Sequence, residues 1–169
     1  MDSNGWVWHL RIMRWLSILL FLPVGLGSCS SADAQAEGRR VILPPDQASD
    51  LWRECSRSMP QKGDHLWQPT NADLDALEAA LPPALAAAPE AQGENFQRLT
   101  DKWVRQYIGF VRAGRRLIYG NYLPFQAVED IPQWRSMAVG VCDGGPPFFG
   151  VEYDPASKQI TGLWFNGSI

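Results

Sequence analysis

Few side chains in this 169-residue chain are suited to chemistry: it has two histidines and three cysteines. His9 lies in an N-terminal apolar region, so His65 is the imidazole left to act as a general base in the body of the chain. A lone histidine in a polar loop is also what a solvated or structural residue looks like. The acidic candidates are Asp143, Glu152 and Asp154. Glu152 and Asp154 are two apart in a strand-like run, so they point to the same side. Such a pair suits calcium or a glycosidase-like acid and nucleophile. Asp154 also opens a turn, however, and no partner at a defining spacing accompanies the two. Asp143-Gly144-Gly145 has the composition of a phosphate or metal loop but lacks the following helix that would supply N–H groups, and a plain turn explains the same residues. No Gly-x-Ser-x-Gly elbow, His-Glu-x-x-His pair or Walker loop is present. The sequence therefore nominates no catalytic residue, metal or cofactor.

The cysteines are more informative. Arg11 and Arg14 flank an apolar run from Trp15 to Leu26. That run is too short for a bilayer span and suits a signal-peptide core, with residues 1–28 as the targeting segment and Met13 as an alternative start. Leu26-Gly27-Ser28-Cys29 resembles the lipobox of bacterial lipoproteins. The resemblance implies that Cys29 is diacylated and becomes the mature N-terminus. Ser30, in place of Asp, implies sorting to the periplasmic side of the outer membrane. The competing reading is ordinary cleavage after Ala32-Asp33-Ala34, giving a soluble periplasmic or secreted chain. Either way the protein leaves the cytoplasm, and Cys55 and Cys142 remain as a pair that an oxidising compartment would join. That bridge closes a loop of about ninety residues, worth roughly 4 to 5 kcal/mol in the chain-entropy model. The absence of Cys-x-x-Cys gives no support to a redox-active pair.

The formal charge is −3. Residues 1–28 contain Asp2, Arg11 and Arg14, a net +1, so their removal leaves −3 − 1 = −4. An acidic balance disfavours nucleic acid, which wants a basic face, and gives no electrostatic reason to bind an anionic membrane. Membrane attachment is expected only through an N-terminal lipid. Residues 29–45 read as a flexible tether, in which Val41-Ile42-Leu43 can add to a sheet edge, and 46–169 as a single domain.

Helices are predicted first. Asp46 caps one running to about Ser58, stopped by Pro60, with Leu51, Trp52 and Cys55 on one face. Thr70 or Asn71 caps a second, carrying Leu74, Leu77, Leu81 and Leu85, with a break at Pro82-Pro83. A third runs from Glu94 to Trp103. Five strands follow: Val104–Val111, Arg116–Tyr122, Met137–Cys142, Phe148–Tyr153 and Ile160–Phe165. Gly109, Gly120, Gly140, Gly150 and Gly162 each sit near a strand middle. In matching register they form one row that lets a helix approach a curved sheet. The predicted class is α+β: N-terminal helices packed on a curved C-terminal antiparallel sheet of about five strands, similar in architecture alone to cystatin-type two-layer folds.

Both sheet faces are apolar, so helices must cover most of them, and any uncovered part becomes a groove. Arg115 and Arg116 beside Tyr119 and Tyr122, with Glu152 nearby, are the candidate binding residues. Two stretches carry a wider resemblance: Trp67-x-Pro69-Thr70 with Asp73, Leu77 and Glu78; and Arg105 to Phe110 through Arg116 to Tyr119, with Cys142-Asp143-Gly144-Gly145 and Phe149 to Asp154. Together these are similar to small uncharacterised exported proteins and lipoproteins of Gram-negative bacteria, a resemblance that implies no activity. Scarce catalytic groups and plentiful aromatics favour a non-enzymatic cell-envelope lipoprotein acting as a protein-binding or interaction module. The alternative is a carrier of a small apolar ligand, which requires an internal pocket. An envelope hydrolase is third, requiring His65 or the carboxylates to converge.

Overall fold

The computed structural model describes residues 38–168. The proposed targeting segment, Cys29 and most of the tether lie outside the described residues. The sheet grows outward from one hairpin. Strands β3 (Trp103–Arg112) and β4 (Arg115–Pro124) pair antiparallel along their whole length. Ala113 and Gly114 turn the chain with φ of 50° and 75°, the left-handed pair that a two-residue hairpin requires. β5 (Phe149–Asp154) lies on β4, and β6 (Gln159–Phe165) on β5. The β5–β6 turn, residues 155–158, follows the Asp-Pro signal.

The far edge of β3 is shared. β1 (Arg40–Ile42) pairs with residues 105–107 in parallel, and β2 (His65–Trp67) with residues 109–111 antiparallel. The fold is thus α+β with six strands in a mixed sheet, not five in an antiparallel one. Val41 does join the sheet edge, so residues 40–45, read as tether, belong to the folded unit.

One long helix covers one face. α2 (Asn71–Ala87) starts with a capping box: Thr70 Oγ1 accepts from Asp73 N–H, and the Asp73 carboxylate accepts from Thr70 N–H. Leu74, Leu77, Leu81 and Leu85 are all buried against Tyr107, Ile118, Tyr122, Phe149 and Val151. The predicted break at Pro82-Pro83 does not occur; the helix runs through both. Each proline removes a hydrogen bond to the carbonyl four residues back and costs about 3 kcal/mol in a helix interior. Both prolines are exposed, while Leu81 and Leu85 remain buried. Burying a leucine is worth about 1.5 to 3 kcal/mol, so continuing the stripe offsets the lost bonds.

The other face is covered without a comparable helix. α1 (Ala48–Leu51) ends well before Ser58, and Asp46 does not cap it. Past Trp52 the polar run lacks the length to hold a helix alone, and its side chains are held elsewhere. Cys55 is bonded to Cys142, and Arg57 reaches into the sheet. The expected helix from Glu94 contracts to α3 (Leu99–Lys102), entered through Arg98 at φ 61°. The expected strand Met137–Cys142 is absent. Residues 136–148 instead form a strap whose backbone bonds to sheet side chains. Gln106 Nε2 donates to the carbonyls of Trp134 and Met137, both at 2.7 Å, and its Oε1 accepts from Val139 N–H at 3.0 Å. Asn121 Nδ2 donates to Val139 O at 2.8 Å, and Asn166 Nδ2 to Val141 O at 2.6 Å. A segment satisfied in this way needs no ladder partner.

The glycine row is also absent. Tyr107 faces Gly120 and Gly109 faces Ile118, so Gly109 and Gly120 lie on the helix face. Asn121 faces Gly150 and Glu152 faces Gly162, so those two lie on the strap face. Gly140 belongs to the strap. Phe149, Val151 and Tyr153, which a single glycine row would set opposite Tyr122, share its face instead. A one-residue offset between strands moves every side chain of one strand to the other face. At Gly120 the missing side chain has a local use: a Cβ would stand 2.9 Å from the rings of both Tyr107 and Tyr122.

Candidate functional site

A cavity of about 630 Å³ opens between the C-terminal half of α2, the irregular segment 88–98 and the sheet. Its walls are mainly apolar, including Leu81, Leu85, Phe96 and Leu99. The segment from Pro89 to Arg98 makes the wall because it cannot continue α2. Ala88 leaves the helix at ψ 124°, a short turn follows at Pro89–Ala91, and Gly93 takes φ 89°. Phe96 then folds back onto Trp103, Phe149 and Phe165, at centroid distances of 5.9, 5.4 and 6.4 Å. Aromatic packing thus fixes the wall where secondary structure does not.

Polar groups gather at the floor. Glu78, Arg105 and Tyr122 all line the cavity. Tyr107 Oη donates to Glu78 Oε1 at 2.7 Å, and the two phenol oxygens of Tyr107 and Tyr122 are 2.9 Å apart. Arg105 Nη1 lies 3.4 Å from Glu78 Oε2, and Arg40 Nη1 at 3.8 Å from the same atom and 2.5 Å from Asp75. The Arg105 side chain is 1% exposed and that of Glu78 15%. A buried arginine is tolerable here because its charge is matched at once by a carboxylate. Burial pushes the Tyr107 phenol well up, assisted by Tyr122 and Glu78, and burial with Glu78 pushes Tyr122 up as well. Both phenols therefore stay protonated through the physiological range.

A second polar cluster lies under the strap. Arg57 donates to Glu54 Oε1 at 3.0 Å, Asn166 Oδ1 at 2.5 Å, Asn121 Oδ1 at 2.7 Å and Tyr119 Oη at 3.0 Å. The Arg57 and Glu54 side chains are each 1% exposed. Burial raises the Glu54 carboxyl above its ordinary value, although Arg57 and the Cys55 N–H draw it down. Arg57 thus ends on four protein acceptors, while the second carboxylate oxygen of Glu54, Oε2, is buried without a hydrogen-bond partner. The arrangement fixes the strap, since Asn121 and Asn166 also donate to its carbonyls.

The sequence-nominated residues do not assemble. Tyr119 and Tyr122 are both fully buried, on opposite faces of β4. Arg115 and Arg116 stand exposed at the hairpin end, Arg115 paired with Asp154 and Arg116 over the Trp67 ring. Glu152 faces the same side as Asp154, as expected, but takes a two-pronged bond from Arg112 at 2.7 and 2.8 Å. Burial works to raise the Asp154 carboxyl, yet Arg115 and the Ala156 N–H hold it below the usual range. His65 is exposed at the start of β2. Asp143 sits in the strap at φ 66°, next to Gly144 and Gly145 at 88° and 74°. Among the described residues no three His, Cys, Asp or Glu side chains gather as a metal site would need.

Only Tyr122 of the nominated set reaches the cavity. Glu78, Arg105 and Tyr107 carry no motif. Their signal is a mismatch: a carboxylate flanking a leucine stripe, and an arginine on the inward face of a buried strand. No protein-family model matches the chain, and no curated protein or solved structure matches it either.

Proposed function

We propose that this is a non-enzymatic binding protein of the cell envelope that takes a small, largely apolar ligand into the cavity beneath α2. The observation that carries the reading is a cavity of about 630 Å³ with apolar walls and a convergent polar floor, in the size range of small-molecule sites. Export supplies the setting. The N-terminal signal, with lipid at Cys29 or cleavage after Ala34, would place the domain outside the cytoplasm, where the Cys55–Cys142 bridge is stable. No described helix is long and apolar enough to cross a membrane.

The test is a titration of the full chain with diphenylhexatriene, an uncharged apolar dye. Saturable binding is expected at one site per chain. Ala88→Phe, which projects a ring from the cavity wall, should abolish it and leave the unfolding free energy within about 1 kcal/mol of the parent. Unsaturable binding, or equal binding by the filled variant, would reject the cavity as the site.

A protein-interaction role is the second reading. Ile131 and Met137, 41% and 51% exposed, flank the single turn Pro132–Arg135 that buries Trp134. Crosslinking from Met137→Cys in intact envelopes would yield one dominant partner if that surface docks, and none if it does not.

A further inference from the structure

We infer that the cavity selects an uncharged ligand whose polar end is a hydrogen-bond donor: a hydroxyl on an apolar body. This deepens the ligand-binding reading and rests on it. The argument follows proton positions on the floor. Tyr107 Oη donates to Glu78 Oε1 at 2.7 Å, which uses its single proton. The contact of 2.9 Å between the two phenols then has one donor left, so Tyr122 donates to Tyr107. The relay runs Tyr122 to Tyr107 to Glu78. It leaves neither phenol with a proton to offer a ligand, and Tyr122 itself is fully buried.

Glu78 is an acceptor. A carboxylate has about four lone-pair sites. Tyr107 takes one, while the guanidiniums of Arg105 and Arg40 approach Oε2 at 3.4 and 3.8 Å. Glu78 is the more accessible member of its pair with Arg105. Of the polar floor Glu78 is thus the accessible group, 15% exposed where Arg105 and Tyr122 are covered, and a ligand satisfies this acceptor by donating.

Charge decides between kinds of donor. Arg40 and Arg105 balance Glu78 and Asp75, so the cluster carries no net charge. An ammonium head would approach two guanidiniums already in contact with the same carboxylate. A carboxylate head would meet Glu78 first. In a site of low dielectric either mismatch costs more than in water. A hydroxyl avoids both.

The experiment displaces bound diphenylhexatriene from the full chain with four length-matched probes: octanol, octyl methyl ether, octanoate and octylammonium. Octanol is expected to compete at roughly tenfold lower concentration than each of the others, as one bond to a charged acceptor allows. Glu78→Leu should narrow the gap between octanol and the ether to within about twofold. If that variant fails to fold, the ether comparison in the parent protein decides alone. Equal competition by octanol and the ether overturns the donor rule, and preference for octanoate or octylammonium overturns the neutrality rule, both leaving the cavity itself standing. Failure of the dye to bind at all removes the cavity reading, and this inference with it.

Discussion

The two faces of one sheet are covered in opposite ways. On the helix face a single seventeen-residue helix lays four leucines on aromatic rings, and the polar groups converge beneath a space. On the strap face the cover is irregular, stitched down by Gln106, Asn121, Asn166 and Arg57 and tied by Cys55–Cys142. The polar groups there converge on one another. A helix satisfies its own backbone, so the side chains beneath it are free to face a ligand. A strap without a ladder must borrow its hydrogen bonds from those side chains, and a cross-link limits what is lost when they open. The difference explains why one polar cluster is a candidate site and the other a fastening.

The bridge offers the sharpest way to break that contrast. Cys142→Ser, or reduction, should lower stability by about 4 to 5 kcal/mol through the loop it opens, with the chain separation of 87 residues setting the scale. Denaturant midpoints measure the loss. Hydrogen exchange should then rise in residues 136–148 before α2, and simultaneous opening of both faces would contradict the division. Next comes Arg57→Met. It strands Glu54 without its partner in a site that is 1% exposed, at a cost of about 3 to 5 kcal/mol, and Arg57→Met with Glu54→Gln should recover part of it. On the helix face Leu77→Ala should cost about 2 to 5 kcal/mol, with Leu85→Ala, which already borders the cavity, at the lower end.

A smaller effect comes from pH. Burial pushes Tyr119 up to about 12, against the pull of Arg57. Its folded value exceeds the unfolded value near 10, so the protonated form favours folding. The contribution is complete below pH 10 and lost as pH rises through about 12, amounting to about 2 to 3 kcal/mol. Tyr107, Tyr122 and Tyr153 are shifted in the same direction by burial. Phenolate absorbance should therefore appear in one cooperative step with unfolding. Phenols titrating near pH 10 in a folded chain would contradict their burial.

How much could be read from sequence follows the same division. Local chemistry was legible: the cap at Thr70, the turn opened by Asp154, the leucine stripe and the cysteine pair. The strap was not, because Met137–Cys142 has strand composition while its bonds go to amides distant in the chain. Face assignment failed between β4 and β5, where a long connection sets no register, and held inside the β3–β4 hairpin, where a two-residue turn does. The prolines in α2 misled because propensity is local and leucine burial is not. The cavity floor was hidden for the same reason. Glu78 meets Tyr107 across 29 residues, and the wall is an irregular segment held by Phe96.

The most direct test of a ligand site on the helix face alone is hydrogen exchange with and without saturating octanol. Slower exchange is expected in the C-terminal half of α2 and in residues 88–98, with 136–148 unchanged. Slowing confined to the strap, or spread evenly over both faces, would contradict it.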